Sequence, residues 1–271
     1  MIRVELGKLF RRPRTWIIIV LIDALPTLVA VLLAITHIGP RPGEGPALLS
    51  AVLSNGRLFP AAALAIVLPL FLPVAVAVVA GDAIAGEAQA GTLRYLITRP
   101  VGRTRLLVAK LVTTLVFVFT TVVVVVVSGY FVGVNLFGNE PLAVVGTSVS
   151  GTPLTQREAT LRTLLTMLYV ALSMLGVAAV ALFLSTVTDS PLAAALGALA
   201  ILVTSTLLLT LDAARALQPY LPTRYWLSFV DLFRQPILWR DIVRGVSLQA
   251  VYVVVLLGAA WANFTTKDIK S

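Results

Sequence analysis

Runs of about 20 apolar residues recur along this chain, and they set the fold class before any motif is considered. The first extends from Trp16 to Thr36, long enough to cross a hydrocarbon core of about 30 Å as an α-helix. Others cover 58–80, 106–132, 161–187, 192–211 and 245–264. Six such segments predict an all-α integral membrane protein with six transmembrane helices in a single domain, 1–271. A transmembrane β-barrel would instead show alternating segments of about ten residues. Composition agrees, with 59% of the 271 residues hydrophobic and 12% charged, about half the charged share of a soluble domain.

The N-terminus begins basic and turns apolar, as a secretory signal does, and it carries the pair Arg11-Arg12. Its apolar run is too long for a cleaved signal and lacks a small-residue cleavage site, so it reads as a retained first span. Residues 1–14 ahead of it read as an amphipathic surface helix. Ile2, Leu6, Leu9 and Phe10 share one face, Lys8, Arg11 and Arg12 lie mostly opposite, and Pro13 ends it. Pro69 and Pro73 inside the second span predict a kink. A polar insert, 81–105, separates spans two and three. A second, 212–244, separates spans five and six, and in it Tyr220, Tyr225, Trp226, Phe229, Phe233 and Trp239 alternate with Arg224, Arg234 and Arg240. That mixture predicts an outer interfacial segment lying in the headgroup region, as an anchor or a gate.

Charge sets the orientation. The net charge of +9 sits beside apolar spans, which points to anionic lipid and not to nucleic acid. The 21 basic residues divide 12 to 9 between the two sides. The bias is concentrated at the first span, which Arg3, Lys8, Arg11, Arg12 and Arg14 precede and only Arg41 and Arg57 follow. Both termini are therefore expected to be cytoplasmic, in a multi-pass protein of the plasma (inner) membrane.

Several chemistries are excluded. The chain has no cysteine and one histidine, His37, so thiolate and multi-histidine metal sites are ruled out. The patterns G-x-x-x-x-G-K-[ST], H-E-x-x-H and G-x-S-x-G are absent. A paired-aspartate protease would need two aspartates within spans, and only Asp23 qualifies. No catalytic residue is assigned, and the chain is not expected to be an enzyme.

Asp23, Thr204 and Thr206 are candidates for lining a substrate path. For Asp23 the favoured alternative is structural, a hydrogen bond to a serine or threonine of another helix or a pair with the arginine-rich N-terminal region. For the threonines, bonding back to their own helix is the more common role. Gly129 and Gly133 form a G-x-x-x-G pair that implies close helix packing.

Within the insert, Gly86-Glu87, Gly91-Thr92-Leu93, Arg99-Pro100-Val101, Arg103 and Lys110 resemble the cytoplasmic signature of ABC-type exporter permeases of the second type. The six-span layout, the N-terminal surface helix and the ending from Phe264 to Lys267-Asp268-Ile269 are similar as well. The resemblance implies that the insert is a coupling element, docking in a groove of a separate nucleotide-binding ATPase subunit. ATP and Mg would reside on that subunit, and this chain would bind no cofactor. It also implies a second permease chain, an identical copy or a relative, enclosing a central path that opens by alternating access. Members of that family export drugs, antibiotics, lipids, polysaccharides or ions.

The insert residues suit a bent knob. Asp82 can cap a short helix through Ala90, and Gly91 can end it in the left-handed conformation. Thr92 can cap a second helix that stops before Arg99-Pro100. Glu87 and Arg94 would then be polar contacts or internal braces, and Leu93, Tyr95 and Leu96 apolar contacts. Lipid contact is the competing role for Arg103 and Arg105. Two rival functions use the same features. A scaffold or sensor subunit would dock the ATPase without transport, and an ion-coupled transporter would show more charges in its spans and an inverted repeat.

Overall fold

The computed structural model describes residues 1–36, 48–52, 56–91, 102–138 and 154–266. Every regular element among them is helical. The main helices are α1 (Ile2–Arg11), α2 (Pro13–Thr36), α3 (Phe59–Val67), α4 (Phe71–Gln89), α5 (Arg103–Phe137), α6 (Gln156–Val187), α7 (Pro191–Thr210) and α8 (Trp239–Thr266). Six of them, α2 and α4 to α8, are long and apolar enough to cross a membrane. The protein is a multi-pass helical membrane protein.

The second span departs from the expected kinked helix over 58–80. It is broken outright, with a turn at Leu68–Leu70 between α3 and α4. Pro69 and Pro73 remove two amide donors one turn apart, so the backbone ladder cannot close there. The two pieces run antiparallel to α5. At one end Gly56 abuts Gly133 and Pro60 abuts Gly129, while at the other Ile84 packs with Leu106 and Leu107. A Cβ on Gly129 would lie 3.2 Å from Pro60 Cα, and one on Gly133 would overlap the Gly56 carbonyl. The G-x-x-x-G pair thus serves packing within one chain. At about 1.5 Å per residue, the 35 residues of α5 extend well beyond the ~30 Å core of a bilayer.

Helix α6 is the axis, with α4 and α8 packed most extensively on it and α5 and α7 completing its surroundings. Thr155 starts α6 with a capping box, accepting from the Glu158 amide while the Glu158 carboxylate accepts from the Thr155 amide at 2.8 Å. Small residues set the helix spacing: a Cβ on Gly81 would come within 3.0 Å of the Ala195 nitrogen on α7. Next to it, Ser185 Oγ of α6 accepts from the amides of Ile84 and Ala85 and donates to the Gly81 carbonyl at 2.7 Å. Helix α4 is therefore fixed to α6 and α7 where it leaves the apolar bundle.

The segment between α7 and α8, expected to lie at the interface, is held in part against the bundle. It contains short 3-10 turns, Asp212–Ala214, Gln218–Tyr220 and Trp226–Phe233; its first part, through Tyr220, is largely exposed, and its second packs partly into the bundle. Trp226, Phe229, Leu232 and Phe233 are buried in the main core, and only Tyr220 and Trp239 keep large exposed aromatic surfaces. Side chains from three spans hold it: Tyr169 Oη donates to the Tyr225 carbonyl at 2.6 Å, Gln249 Nε2 to the Pro222 carbonyl at 2.7 Å, and Ser205 shares a hydrogen bond with Thr223. Gly245 and Gly176 make room for Tyr169 and Gln249, since a Cβ on either would collide with those side chains.

At the opposite end, hereafter the near end, Met1 and Phe264 join one small cluster with Ile84, Leu106 and Leu182. The N-terminal helix and the end of α8 therefore lie on the same side of the bundle.

Candidate functional site

The near end carries a charged cluster built from three elements. Glu5 comes from α1, Glu87 from the last turn of α4, and Lys110 from the third turn of α5. Lys110 Nζ donates to Glu5 Oε2 at 2.6 Å and also to Glu87 Oε1. Lys8 Nζ donates to Glu5 Oε1 at 2.8 Å and lies 3.7 Å from Glu87 Oε1. Two ammonium groups and two carboxylates thus alternate in a ring. The side chains of Glu5 and Lys110 are each only 7% exposed, so either charge alone would be costly to bury, and together they compensate.

Burial by itself would raise the Glu5 pKa. The hydrogen bonds and charges of Lys110 and Lys8 outweigh it and hold the carboxyl below its ordinary value. Burial likewise works against the Lys8 charge, yet Glu5 and Glu87 lift its pKa above the usual lysine value.

A second pairing lies beside this ring. Arg12, with its NH1 at 3.4 Å, and Arg14 both reach the same oxygen, Oδ2 of Asp82. The expected N-cap role of Asp82 is not what the structure has, because α4 runs unbroken from Phe71 and places Asp82 mid-helix. Gly86, one turn on, leaves the space that the Asp82 carboxylate occupies. The link between α1 and α2 is braced too. Trp16 Nε1 donates to the Phe10 carbonyl at 2.9 Å, and Arg12, preceding Pro13, is extended.

Among the other expected residues, Gly91 does end α4 in the left-handed region, with φ +67°. Arg103 donates from NH1 to the carbonyls of Phe264 (3.1 Å) and Thr265 (2.8 Å), so it ties the start of α5 to the end of α8. Thr92, Leu93, Arg94, Tyr95, Leu96, Arg99 and Pro100 lie outside the described residues, as do His37 and 267–271. Asp23 accepts from Ser128 Oγ of α5, an interhelical hydrogen bond of the kind its structural alternative names. Thr204 and Thr206 lie on the exposed side of α7, and Thr206 bonds back to the Leu202 carbonyl at 3.0 Å. The three candidate path residues are thus held separately, Asp23 by α5 and the threonines outside the bundle.

Glu5 is the site residue that sequence reasoning missed. Its signal was present: it is the one acidic residue in a basic N-terminal segment and stands three positions before Lys8. Which distant lysine it would meet is set by packing.

The chain matches a family described as protein of unknown function (DUF2705) over residues 50–270, well over half its length. The chain belongs to the DUF2705 family. No curated protein matches it. The family match contains Asp82, Glu87 and Lys110 and starts after α2. In this DUF2705 member the near-end cluster therefore joins the matched bundle to the two helices before it.

Proposed function

We propose that the protein is the membrane-embedded permease subunit of an ATP-driven, ABC-type exporter, working as a pair of permease chains coupled to separate ATPase subunits. The observation that carries this reading is the mounting of the insert. Its flanks are α4 and α5, two long helices whose bases are joined by Glu87 and Lys110 and braced by Glu5 of α1. A load applied between Gly91 and Gly102 would act on both spans at once. Ser185 and the close approach at Gly81 would pass it to α6 and α7. The break at Leu68–Leu70 gives α4 a point at which to move relative to α3. The insert's resemblance to permease coupling elements supplies the partner, an ATPase on the cytoplasmic side. In this reading Glu87 is an internal brace, and a path using Thr204 and Thr206 runs against the second permease chain.

Affinity purification of the tagged full chain from native membranes in mild detergent, with partner identification and an ATPase assay, tests the proposal. A stoichiometric nucleotide-binding ATPase is expected, and Gly91→Val, which forces a β-branched residue into a left-handed position, should release it while the spans remain inserted. A chain that purifies alone would overturn the reading. An ATPase that binds without driving transport in proteoliposomes would leave the scaffold role in its place.

A further inference from the structure

The charges at the near end do not balance locally. Lys8 and Lys110 are matched by Glu5 and Glu87 in the closed ring. Arg12 and Arg14, by contrast, share a single carboxylate oxygen of Asp82, and their side chains are 49% and 56% exposed. Among the charges that line the notch between α1, α2, α4 and α5, the surplus positive charge therefore sits on these two guanidinium groups. Both line that notch, and both also line a shallower depression that continues from it past Gly86. Below the arginines one wall of the notch is apolar, formed by Ile18 of α2 with Val78 and Val79 of α4, while the self-compensated ring of Glu5, Lys8, Glu87 and Lys110 closes the other side. The adjoining surface of α2 is apolar and open, with Ile17, Val20 and Leu21 each more than half exposed.

A soluble anion would use only the upper half of such a site. An amphiphile uses all of it: a phosphate between two guanidinium groups, which bind oxyanions through paired N–H donors, and an acyl chain along the apolar wall. The level is right as well, since the notch opens where α2 starts and Trp16 lies at its first turn. We propose that this notch binds the headgroup phosphate of an anionic phospholipid through Arg12 and Arg14, with Asp82 competing for the same guanidinium groups. The site stands independently of the exporter reading, because it needs only that α2 and α4 cross a bilayer.

Native mass spectrometry of the purified full chain, with phosphatidylglycerol or phosphatidylcholine added to the micelles, tests it. Phosphatidylglycerol should be retained preferentially. Arg12→Gln with Arg14→Gln should lower that retention by roughly fivefold per arginine, the worth of one basic contact at an anionic surface. Arg3→Gln with Arg11→Gln, an equal charge loss on exposed positions outside the notch, should leave retention unchanged. Asp82→Asn, which keeps both arginines, should raise it. An equal loss in the control pair would mean diffuse surface charge, and a fall with Asp82→Asn would mean that no anion competes there. Displacement of the lipid by inorganic phosphate at equal concentration would mean a free-anion site. Any of these three results overturns the proposal.

Discussion

Lys110 shows how much a single side chain can hold at the near end. It hydrogen-bonds both Glu5 on α1 and Glu87 on α4, which Lys8 also joins through a longer contact to Glu87, and the side chains of Lys110, Glu5 and Glu87 are all largely enclosed. Lys110→Met should leave two carboxylates facing each other with Lys8 alone to offset them, and lower stability by about 3–5 kcal/mol. A melt in detergent would read this as a fall in Tm, and an unchanged Tm would show that the ring holds nothing. The pH dependence has a definite sign. The Glu5 pKa is depressed in the fold, so its contribution is complete above the ordinary value of 4.5 and is lost as pH falls through the lower folded value. The Lys8 pKa is raised, so its contribution is complete below 10.5 and is lost as pH climbs through the higher folded value. Stability of the wild type relative to Lys8→Met with Glu5→Gln should therefore be flat between those limits and shrink outside them, which paired melts across pH would detect. Glycines give a sharper residue-scale contrast. Gly133→Ala puts a methyl group into the Gly56 carbonyl and should cost about 3 kcal/mol or prevent assembly. Gly258→Ala meets nothing within 4 Å and should be neutral or slightly stabilising.

Among the elements, the outer segment and the second span behave in ways their sequences state only in part. The segment after α7 is rich in aromatics and arginines, a pattern that suits a membrane-surface anchor as well as a gate. What packing adds is attachment to the bundle, because Tyr169, Gln249 and Ser205 project from three different helices onto its backbone and side chains. Tyr169→Phe removes the donor to the Tyr225 carbonyl and should cost about 1–2 kcal/mol. Limited proteolysis within 212–238 should become faster in that variant, whereas unaltered cleavage would mean that the hydrogen bond does not hold the segment. The second span was legible as a place of disruption, since two prolines remove two donors. That the disruption is a full break, and that α4 then continues through Asp82 to Gln89, follows from what surrounds it. Ser185 bonds the α4 backbone at Gly81, Ile84 and Ala85 and supports a helix there, where a loop with an aspartate cap was the local expectation.

For the whole molecule, the six-helix count, the even number of crossings and the joint position of α1 and the end of α8 make one topological statement. The chain has no native cysteine, so single cysteines report on it cleanly. Arg11→Cys and Leu217→Cys, both at exposed positions, should react with a membrane-impermeant maleimide from opposite sides of sealed vesicles. Labelling of both from one side would refute the arrangement. The sequence alone determined the class, the number of spans, the proline disruption, the left-handed stop at Gly91 and the close packing at Gly129 and Gly133. Each of those follows from a local property: run length against membrane thickness, a missing amide, or a missing Cβ. The tertiary structure decided the rest. Glu5 meets Lys110 across 105 positions, Asp82 turns from a cap into the shared partner of Arg12 and Arg14, Asp23 finds Ser128, and the segment after α7 is tied to three helices. Charges and hydrogen-bonding groups do not encode their partners locally, because in a low-dielectric bundle the partner is whichever compensating group the helix packing brings within about 3 Å.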